Sequence, residues 1–110
     1  MRRAWLLAGL LLALAPAAHA AEPGAEAFRQ RCGVCHAAGG MGALALGARR
    51  GPDKAILQER RDLAADYIRL AARRGIGSMP PINRVEVTDA QLEAIVGYLT
   101  GPAGKSRTGG

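Results

Sequence analysis

Cys32-Gly33-Val34-Cys35-His36 is the stretch of sequence that decides how this chain folds. Two thiols three positions apart, followed directly by an imidazole, form the attachment signal of a c-type haem. On a helix, residues 32 and 35 lie on one face, so both sulfurs can reach the two vinyl groups along one edge of a porphyrin. The next residue then projects its ring toward the iron. We therefore predict one covalent haem c, attached at Cys32 and Cys35, with His36 as an iron ligand.

Three other interpretations of this motif compete with a haem site. A thioredoxin-like dithiol requires a strand leading into the motif, whereas the preceding residues favour a helix. A structural zinc site requires four nitrogen or sulfur ligands, and beyond residue 20 the chain offers two cysteines and one histidine. A disulfide suits an oxidising compartment but leaves His36 without a function. Among interpretations without a haem, a dithiol redox protein is kept as the alternative.

The first twenty residues have the features of an export signal. A basic start, Met1-Arg2-Arg3, precedes an uncharged apolar run from Ala4 to Ala15, and Ala18-His19-Ala20 has the small-x-small pattern of a cleavage site. This run has twelve residues, whereas a membrane-spanning helix requires about 20, so an uncleaved anchor is the less favoured alternative. We expect residues 1–20 to be a signal peptide and the mature protein to be soluble in the periplasm, without a membrane span.

The chain beyond residue 20 has few large side chains with which to build a core. Its aromatic residues are Phe28, Tyr67 and Tyr98, and many of its other apolar residues are alanines. A domain of this size and composition is only marginally stable on its own. We expect a cofactor to fill part of its interior, in a domain over residues 21–101 that is followed by a disordered, Gly-rich tail over residues 102–110.

Two methionines, Met41 and Met79, are candidates for a second iron ligand. Met41 lies five residues beyond His36, which is too short a chain to turn around the porphyrin edge. Met79 lies 43 residues downstream, with a flexible Gly-rich approach and a stiff exit through Pro80-Pro81. We predict His36 and Met79 as the iron ligands. If Met79 only fills a loop, the iron site is open, as in a ligand sensor or a peroxidase-like catalyst.

Apolar periodicity and capping residues predict three helices. The first, over about 25–37, carries the haem motif, with Phe28 packed beside the haem. The middle helix, over about 63–74, has Asp62 as its N-cap and ends at Gly75. Its inward stripe consists of Leu63, Tyr67, Leu70 and Ala71. A short fourth helix is expected between Asp53 and Glu59.

The last predicted helix has the clearest signals. Thr88 and Gln91 form a capping box at its start, and Gly101-Pro102 ends it. Its apolar residues at helical spacing are Leu92, Ile95, Val96 and Leu99. Gly97 lies inside it, where glycine costs about 1 kcal/mol relative to alanine. Close crossing of the first and last helices at Gly97 is the favoured explanation, and mere tolerance of a weak position is the alternative.

The chain from about Gly24 to Gly101 resembles a small class I c-type cytochrome, one of the monohaem electron carriers of bacterial periplasms. The matching segments are Gly24-x-x-x-Phe28-x-x-x-Cys32-x-x-Cys35-His36, Ser78-Met79-Pro80-Pro81 and the final helix from Leu92 to Leu99. The resemblance implies an all-α fold of three to four helices around one haem, in which the first and last helices cross near Gly24 and Phe28. It also implies one-electron transfer without substrate chemistry.

The most similar subgroup consists of short cytochrome subunits that accept electrons from flavin-dependent dehydrogenases of phenolic compounds. This resemblance favours a flavoprotein dehydrogenase as the redox partner, with a terminal oxidase as the alternative. Relatives usually carry a proline soon after the haem motif, and a carbonyl beside it accepts the Nδ1–H of the haem histidine. The corresponding run here, from Gly42 to Gly47, has no proline, so the carbonyl that orients His36 is not identified. Tyr67 is either a hydrogen-bond donor near a propionate or Met79, or an ordinary half-buried tyrosine.

The chain is basic. Fifteen basic and nine acidic residues give a net charge of +6; removal of Arg2 and Arg3 leaves +4, and two haem propionates reduce this to about +2. Export, and the lack of aromatic residues among the arginines, argue against nucleic-acid binding. The clusters form either a solvated basic face or a patch that steers docking onto an acidic redox partner. They are Arg49-Arg50, Lys54, Arg60-Arg61, Arg69 and Arg73-Arg74.

Overall fold

A computed structural model describes residues 22–102 of the chain. This part contains the helices α1 Pro23–Arg31, α2 Gly33–His36, α3 Met41–Arg50, α4 Ala65–Arg74 and α5 Asp89–Thr100, with short 3-10 helices at Pro52–Lys54 and Leu57–Glu59. The described residues form no strand, apart from an isolated bridge between Ile76 and Met79. The prediction of an all-α fold is therefore confirmed. The predicted signal peptide, and all but the first residue of the predicted tail, lie outside the described residues.

Helices α1 and α5 cross each other and form the core. A Cβ on Gly24 would overlap the carbonyl oxygen of Ala94 and lie 2.8 Å from the Tyr98 Cβ, so the two backbones are in contact at this point. The ring centroids of Phe28 and Tyr98 are 5.8 Å apart. The expected crossing near Gly24 and Phe28 is confirmed. The buried core side chains are Ala27, Phe28, Val87, Leu92, Ile95, Val96, Tyr98 and Leu99.

Helix α5 begins as its sequence predicts. The Thr88 hydroxyl accepts a hydrogen bond from the Gln91 backbone N–H at 3.1 Å, and the Gln91 side-chain oxygen accepts one from the Thr88 backbone N–H at 3.0 Å. These two bonds satisfy donors that the first turn of a helix otherwise leaves free. The predicted capping box and the end of the helix at Gly101 are both confirmed.

Gly97 does not lie at the helix crossing, so the explanation favoured for it is wrong. It is exposed on α5, and a Cβ there would meet no atom within 4 Å. The close approach is instead made by the α1 backbone at Gly24. Glycine at position 97 is therefore a tolerated weak position in the helix.

Gly97→Ala is expected to raise the free energy of unfolding by about 0.5–1 kcal/mol. Alanine has a higher helix propensity than glycine, and the added methyl group would meet no atom within 4 Å. Urea unfolding followed by circular dichroism measures the change. A destabilised variant would show that another group covers Gly97 on the outer face of α5.

The haem motif bends the first helical segment. The predicted single helix over 25–37 is divided into α1 and α2 at Cys32, where φ is −116° and ψ is −29°. Backbone hydrogen bonds still carry the chain through the bend, from the Cys32 N–H to the Phe28 carbonyl at 2.8 Å and from the His36 N–H to the Cys32 carbonyl at 2.9 Å. The side chains of Cys32, Cys35 and His36 therefore project from one compact helical turn.

Helix α3 was not predicted. It follows Gly40, and no side chain caps its first turn. The chain reaches it through Gly39, whose φ of +82° suits glycine. After α3, two 3-10 turns take the place of the short helix that was expected between Asp53 and Glu59.

The start of α4 differs from the prediction. The helix begins at Ala65, and its N-cap position, Ala64, provides no side-chain hydrogen bond. Asp62 is not the N-cap, because its carboxylate accepts hydrogen bonds from Nε and Nη2 of Arg60 at 2.9 and 3.0 Å. A stronger, charge-assisted partner thus removes Asp62 from the helix terminus.

The inward face of α4 is also rotated from the prediction. Ile68 and Ala72 pack against the α1–α5 core, whereas Tyr67 and Leu70 are 45% and 48% exposed. Tyr67 and Leu70 of the predicted inward stripe therefore do not pack against this core. Helix α4 has two adjoining apolar faces, and α5 covers only one of them.

Candidate functional site

Cys32, Cys35 and His36 are brought together by a single turn. The two cysteines form no disulfide, Cys35 is exposed and Cys32 is partly buried. Burial raises the pKa of the Cys32 thiol to about 11, and the neighbouring Cys35 adds to this shift. A reactive dithiol requires a lowered pKa, because the thiolate is the nucleophile. This environment therefore disfavours the haem-free dithiol alternative.

The His36 imidazole packs against the first turn of α3. A Cβ on Gly42 would lie 2.9 Å from Cε1 and 3.1 Å from Nδ1 of His36, so the ring lies directly on the Gly42 backbone. Burial lowers the pKa of His36, which favours the neutral imidazole that binds metals. Its Nδ1 is buried, and no group in residues 22–102 hydrogen-bonds to it. The carbonyl that orients His36 is therefore not identified among these residues, and the ring packs on the Gly42 backbone.

Gly40 brings the same turn close to the haem motif. A Cβ on Gly40 would lie 2.5 Å from the Cys35 carbonyl oxygen and 2.8 Å from that of Val34. Only a residue without a side chain fits at these positions, so Gly40 and Gly42 allow α3 to pack on the motif. Sequence reasoning noted the missing proline here, but it did not identify the two glycines as the compensating feature.

Gly42→Ala is expected to reorient the His36 ring or to push α3 away from it. The added methyl group would also lie 2.8 Å from the Cys35 carbonyl oxygen, and such overpacking costs about 1–3 kcal/mol. Electron paramagnetic resonance of the ferric protein, which is sensitive to ligand orientation, measures the change. Gly97→Ala is the control, and identical spectra for Gly42→Ala and wild type would rule out the contact.

Met79 lies in a tight turn that directly follows α4. The backbone N–H groups of Ile76 and Met79 each donate to the carbonyl of the other residue, at 3.1 and 2.9 Å. Gly75 and Gly77 have φ angles of +73° and +58°, which glycine adopts without strain. A Cβ on Gly75 would also lie 2.5 Å from the Met79 carbonyl oxygen. The approach to Met79, which the sequence predicts to be flexible, therefore forms a hydrogen-bonded turn.

The chain beyond Met79 is tied to α4. The Ile82 N–H donates to the Ala72 carbonyl at 2.8 Å, and Nη1 of Arg73 donates to the carbonyls of Ile82 and Val87 at 3.1 and 3.0 Å. The turn is thus held on both sides by backbone acceptors. These bonds tie the chain that follows Met79 to α4.

Helix α3 connects the two predicted ligand segments. Its first turn lies against His36 through Gly42. Its last turn places Arg49 against Gly77, where a Cβ would lie 3.1 Å from Nη1 of Arg49. Gly42 and Arg49 are seven residues apart, which corresponds to about 10 Å along a helix axis. The imidazole and the Met79 turn therefore lie near opposite ends of α3.

Exposed apolar side chains are concentrated between these two ligand segments. Single exposed apolar residues are ordinary, but six of the seven large ones in the described part of the chain lie within the haem motif or between it and Met79. They are Val34, Met41, Leu44, Tyr67, Leu70 and Ile76, and the seventh is Val85. These residues are available to cover the faces of a flat apolar cofactor.

The donor set fits iron that arrives with its own macrocycle. Among residues 22–102, no group of three or more His, Cys, Asp or Glu side chains could hold a metal ion, so the protein alone provides no cage for zinc or iron there. An imidazole, a thioether and two thiols instead match the axial and covalent attachments of haem c.

The family comparison agrees with this donor set. Residues 19–99 match the family model described as cytochrome c oxidase, cbb3-type, subunit III. The chain belongs to this family. As a cytochrome c domain it carries covalently bound haem c and is suited to haem-based electron transfer. No curated protein and no solved structure matches the chain significantly.

The described part of this cytochrome c domain contains no helix that is long and apolar enough to cross a bilayer. Met79 is the predicted site residue that is most remote in sequence from the other three, 43 residues beyond His36. The structure places its turn at the other end of α3 from His36.

Proposed function

We propose that this protein is a periplasmic one-electron carrier whose haem c iron is bound by His36 and Met79, and that it accepts electrons from a dehydrogenase. The observation that carries the proposal is the anchored Met79 turn at the far end of α3 from the His36 ring. A second ligand on a fixed backbone is typical of electron transfer, whereas an open iron position is typical of gas binding or peroxide chemistry.

When bound, the haem provides an iron that gains or loses one electron. The protein residues hold it and tune it. Cys32 and Cys35 would attach it covalently, and the neutral His36 ring would bind its iron. Met79 contributes a thioether, which raises the reduction potential, and its hydrogen-bonded turn limits movement between the two oxidation states. The exposed apolar side chains of α3 and α4 exclude water from its faces.

Two kinds of partner are consistent with this function. The resemblance to cytochrome subunits of flavin-dependent dehydrogenases supports a flavoprotein donor. The family description names an oxidase subunit, which supports delivery of electrons to a terminal oxidase as the second candidate. Purification of the tagged protein from its native cells, with absorption spectra of the co-purified material, distinguishes flavin from oxidase haem.

The carrier function is tested with the exported holo-protein. We expect a pyridine haemochrome of haem c, a thioether–iron absorption band in the ferric protein and no rapid binding of carbon monoxide by the ferrous protein. Fractionation is expected to recover it from the periplasm. Rapid carbon monoxide binding without the thioether band would support the sensor or peroxidase-like alternative. A bare peptide mass would exclude a haem protein altogether.

A further inference from the structure

Several arginines of the predicted basic clusters are neutralised by carboxylates. Arg69 donates to Glu93 and to Asp66, at 2.7 Å in each case, and Arg73 donates to Asp89 at 2.7 Å. Exposed pairs of this kind add little stability, but they remove these cations from a basic patch. The basic surface is therefore smaller than the sequence suggests.

Four cations remain together around a cavity at the C-terminal end of α3. The cavity has a volume of about 320 Å³ and is lined by Arg49, Arg50, Lys54, Arg60 and Asp62. Asp62 is the one carboxylate in this lining, and it is shared by Arg60 and Lys54, whose Nζ lies 3.3 Å away. The hydrogen bond from Arg60 holds the pKa of Asp62 well below its usual range. Lys54 Nζ also lies 3.7 Å from Asp53 Oδ2, so two carboxylates face four positive charges.

Arg60 is the buried member of this group. Its side chain is 9% exposed, and its Nε and Nη2 donate to the two Asp62 oxygens. Its Nη1 donates to no group within residues 22–102. A guanidinium carries five N–H donors, and Nη1 of Arg60 is not among the buried atoms that lack a partner, so it is accessible to solvent. The remaining donors of Arg60 are therefore suited to an acceptor inside the cavity.

We propose that this cavity is an oxyanion site that binds one carboxylate or phosphate group. At about 30 Å³ per water molecule, its volume accommodates such a group together with several waters. Planar guanidinium groups bind these oxyanions through paired hydrogen bonds. Arg49 and Arg50 form no ion pair within the described residues, so their charges are available to the ligand.

The site is joined to the proposed iron ligand by Arg49, whose guanidinium lies against Gly77 of the Met79 turn. This consequence rests on the proposed function: an anion bound here would add negative charge beside the Met79 turn, and such charge favours the ferric form and lowers the reduction potential. The oxyanion has two possible sources. It is either a propionate of the haem itself or a free oxyanion from solution.

Inorganic phosphate is the probe for the external source. It is titrated into ferrous holo-protein against chloride at constant ionic strength, while proton–nitrogen NMR follows the Nε–H signal of Arg60. We expect a saturable shift that is absent from the Arg69 signal, since Asp66 and Glu93 already occupy that guanidinium. The double variant Arg49→Gln, Arg50→Gln is expected to weaken phosphate binding at least tenfold, whereas Arg69→Gln, the matched control, leaves it unchanged.

Binding of a haem propionate in the cavity is tested by infrared spectroscopy of holo-protein whose haem propionates carry ¹³C. If a propionate occupies the cavity, phosphate has no effect, and the labelled carboxylate band shifts in Arg60→Lys and in Arg49→Gln but not in Arg69→Gln. An unshifted band together with no response to phosphate overturns the site. Failure of the proposed function is recognised separately, because a missing thioether–iron band does not alter either measurement of oxyanion binding.

Discussion

Replacement of Met79 by alanine should open one axial position of the iron while leaving the polypeptide fold in place. We expect the ferric protein to lose its thioether–iron band and the ferrous protein to bind carbon monoxide rapidly. Loss of thioether ligation should also lower the reduction potential, by an amount on the order of 0.1 V. Absorption spectroscopy and spectroelectrochemistry of the exported holo-protein measure all three effects.

The fold of the variant is protected because backbone groups hold the turn. The paired hydrogen bonds between Ile76 and Met79 use main-chain atoms, as does the bond from Ile82 to Ala72. The positive φ angles of Gly75 and Gly77 are likewise independent of the side chain at position 79. A change in the spectrum of Met79→Ala therefore reports on the ligand and not on unfolding.

Met41→Ala is the matched control for this experiment. Met41 is the other methionine beyond residue 20, it begins α3, and it is 75% exposed. We expect its replacement to leave the spectrum and the potential unchanged. Should Met41→Ala remove the thioether band and Met79→Ala retain it, the assignment of the second ligand would be reversed.

The parts of the fold that the sequence predicts are those encoded by local interactions. Helix α5 is the clearest case, because the partners in its capping box are three residues apart and its buried side chains repeat at helical spacing. The haem motif is equally local, since its two thiols and its imidazole lie within five consecutive residues. Neither conclusion needs knowledge of the rest of the chain.

Helix α3 was missed because its stability comes from packing. It contains Gly42 and Gly47, which are poor helix formers, and no side chain caps it. Its glycines instead allow close contact, at Gly42 with the His36 ring and at Gly47 with the Ala55 side chain. A pattern based on propensity predicts a loop here, and only the tertiary contacts make a helix.

The ion pairs around the site likewise depend on tertiary contacts that the local sequence does not show. The sequence shows where the arginines are, but not which of them are neutralised. The principal partner of Arg69 is Glu93, which is 24 residues away, and Asp62 binds Arg60 instead of capping α4. The oxyanion cavity was therefore not recognisable from the basic clusters alone. Its nearest signal in the sequence was the density of arginine before α4.

The second large effect is expected at the helix crossing, where Gly24→Ala should destabilise the protein by about 3 kcal/mol, near the upper end for overpacking. This loss corresponds to about 15 °C in Tm for a domain of this size. The added Cβ would overlap the Ala94 carbonyl oxygen and lie 2.9 Å from the Ala94 carbonyl carbon. These are backbone atoms of α5, so no side-chain rotation relieves the overlap, and the two helices must move apart.

Helix separation has a functional consequence because α1 ends at Cys32, the first attachment site. Moving α1 away from α5 disturbs the Phe28–Tyr98 contact and shifts the haem motif relative to the Met79 turn, so the thioether–iron band should weaken along with stability. Gly97→Ala makes the same substitution on open helix surface and should produce neither effect. Denaturant unfolding and the ferric absorption spectrum test both points. Wild-type stability for Gly24→Ala would show that α1 and α5 do not approach as closely as the structure describes.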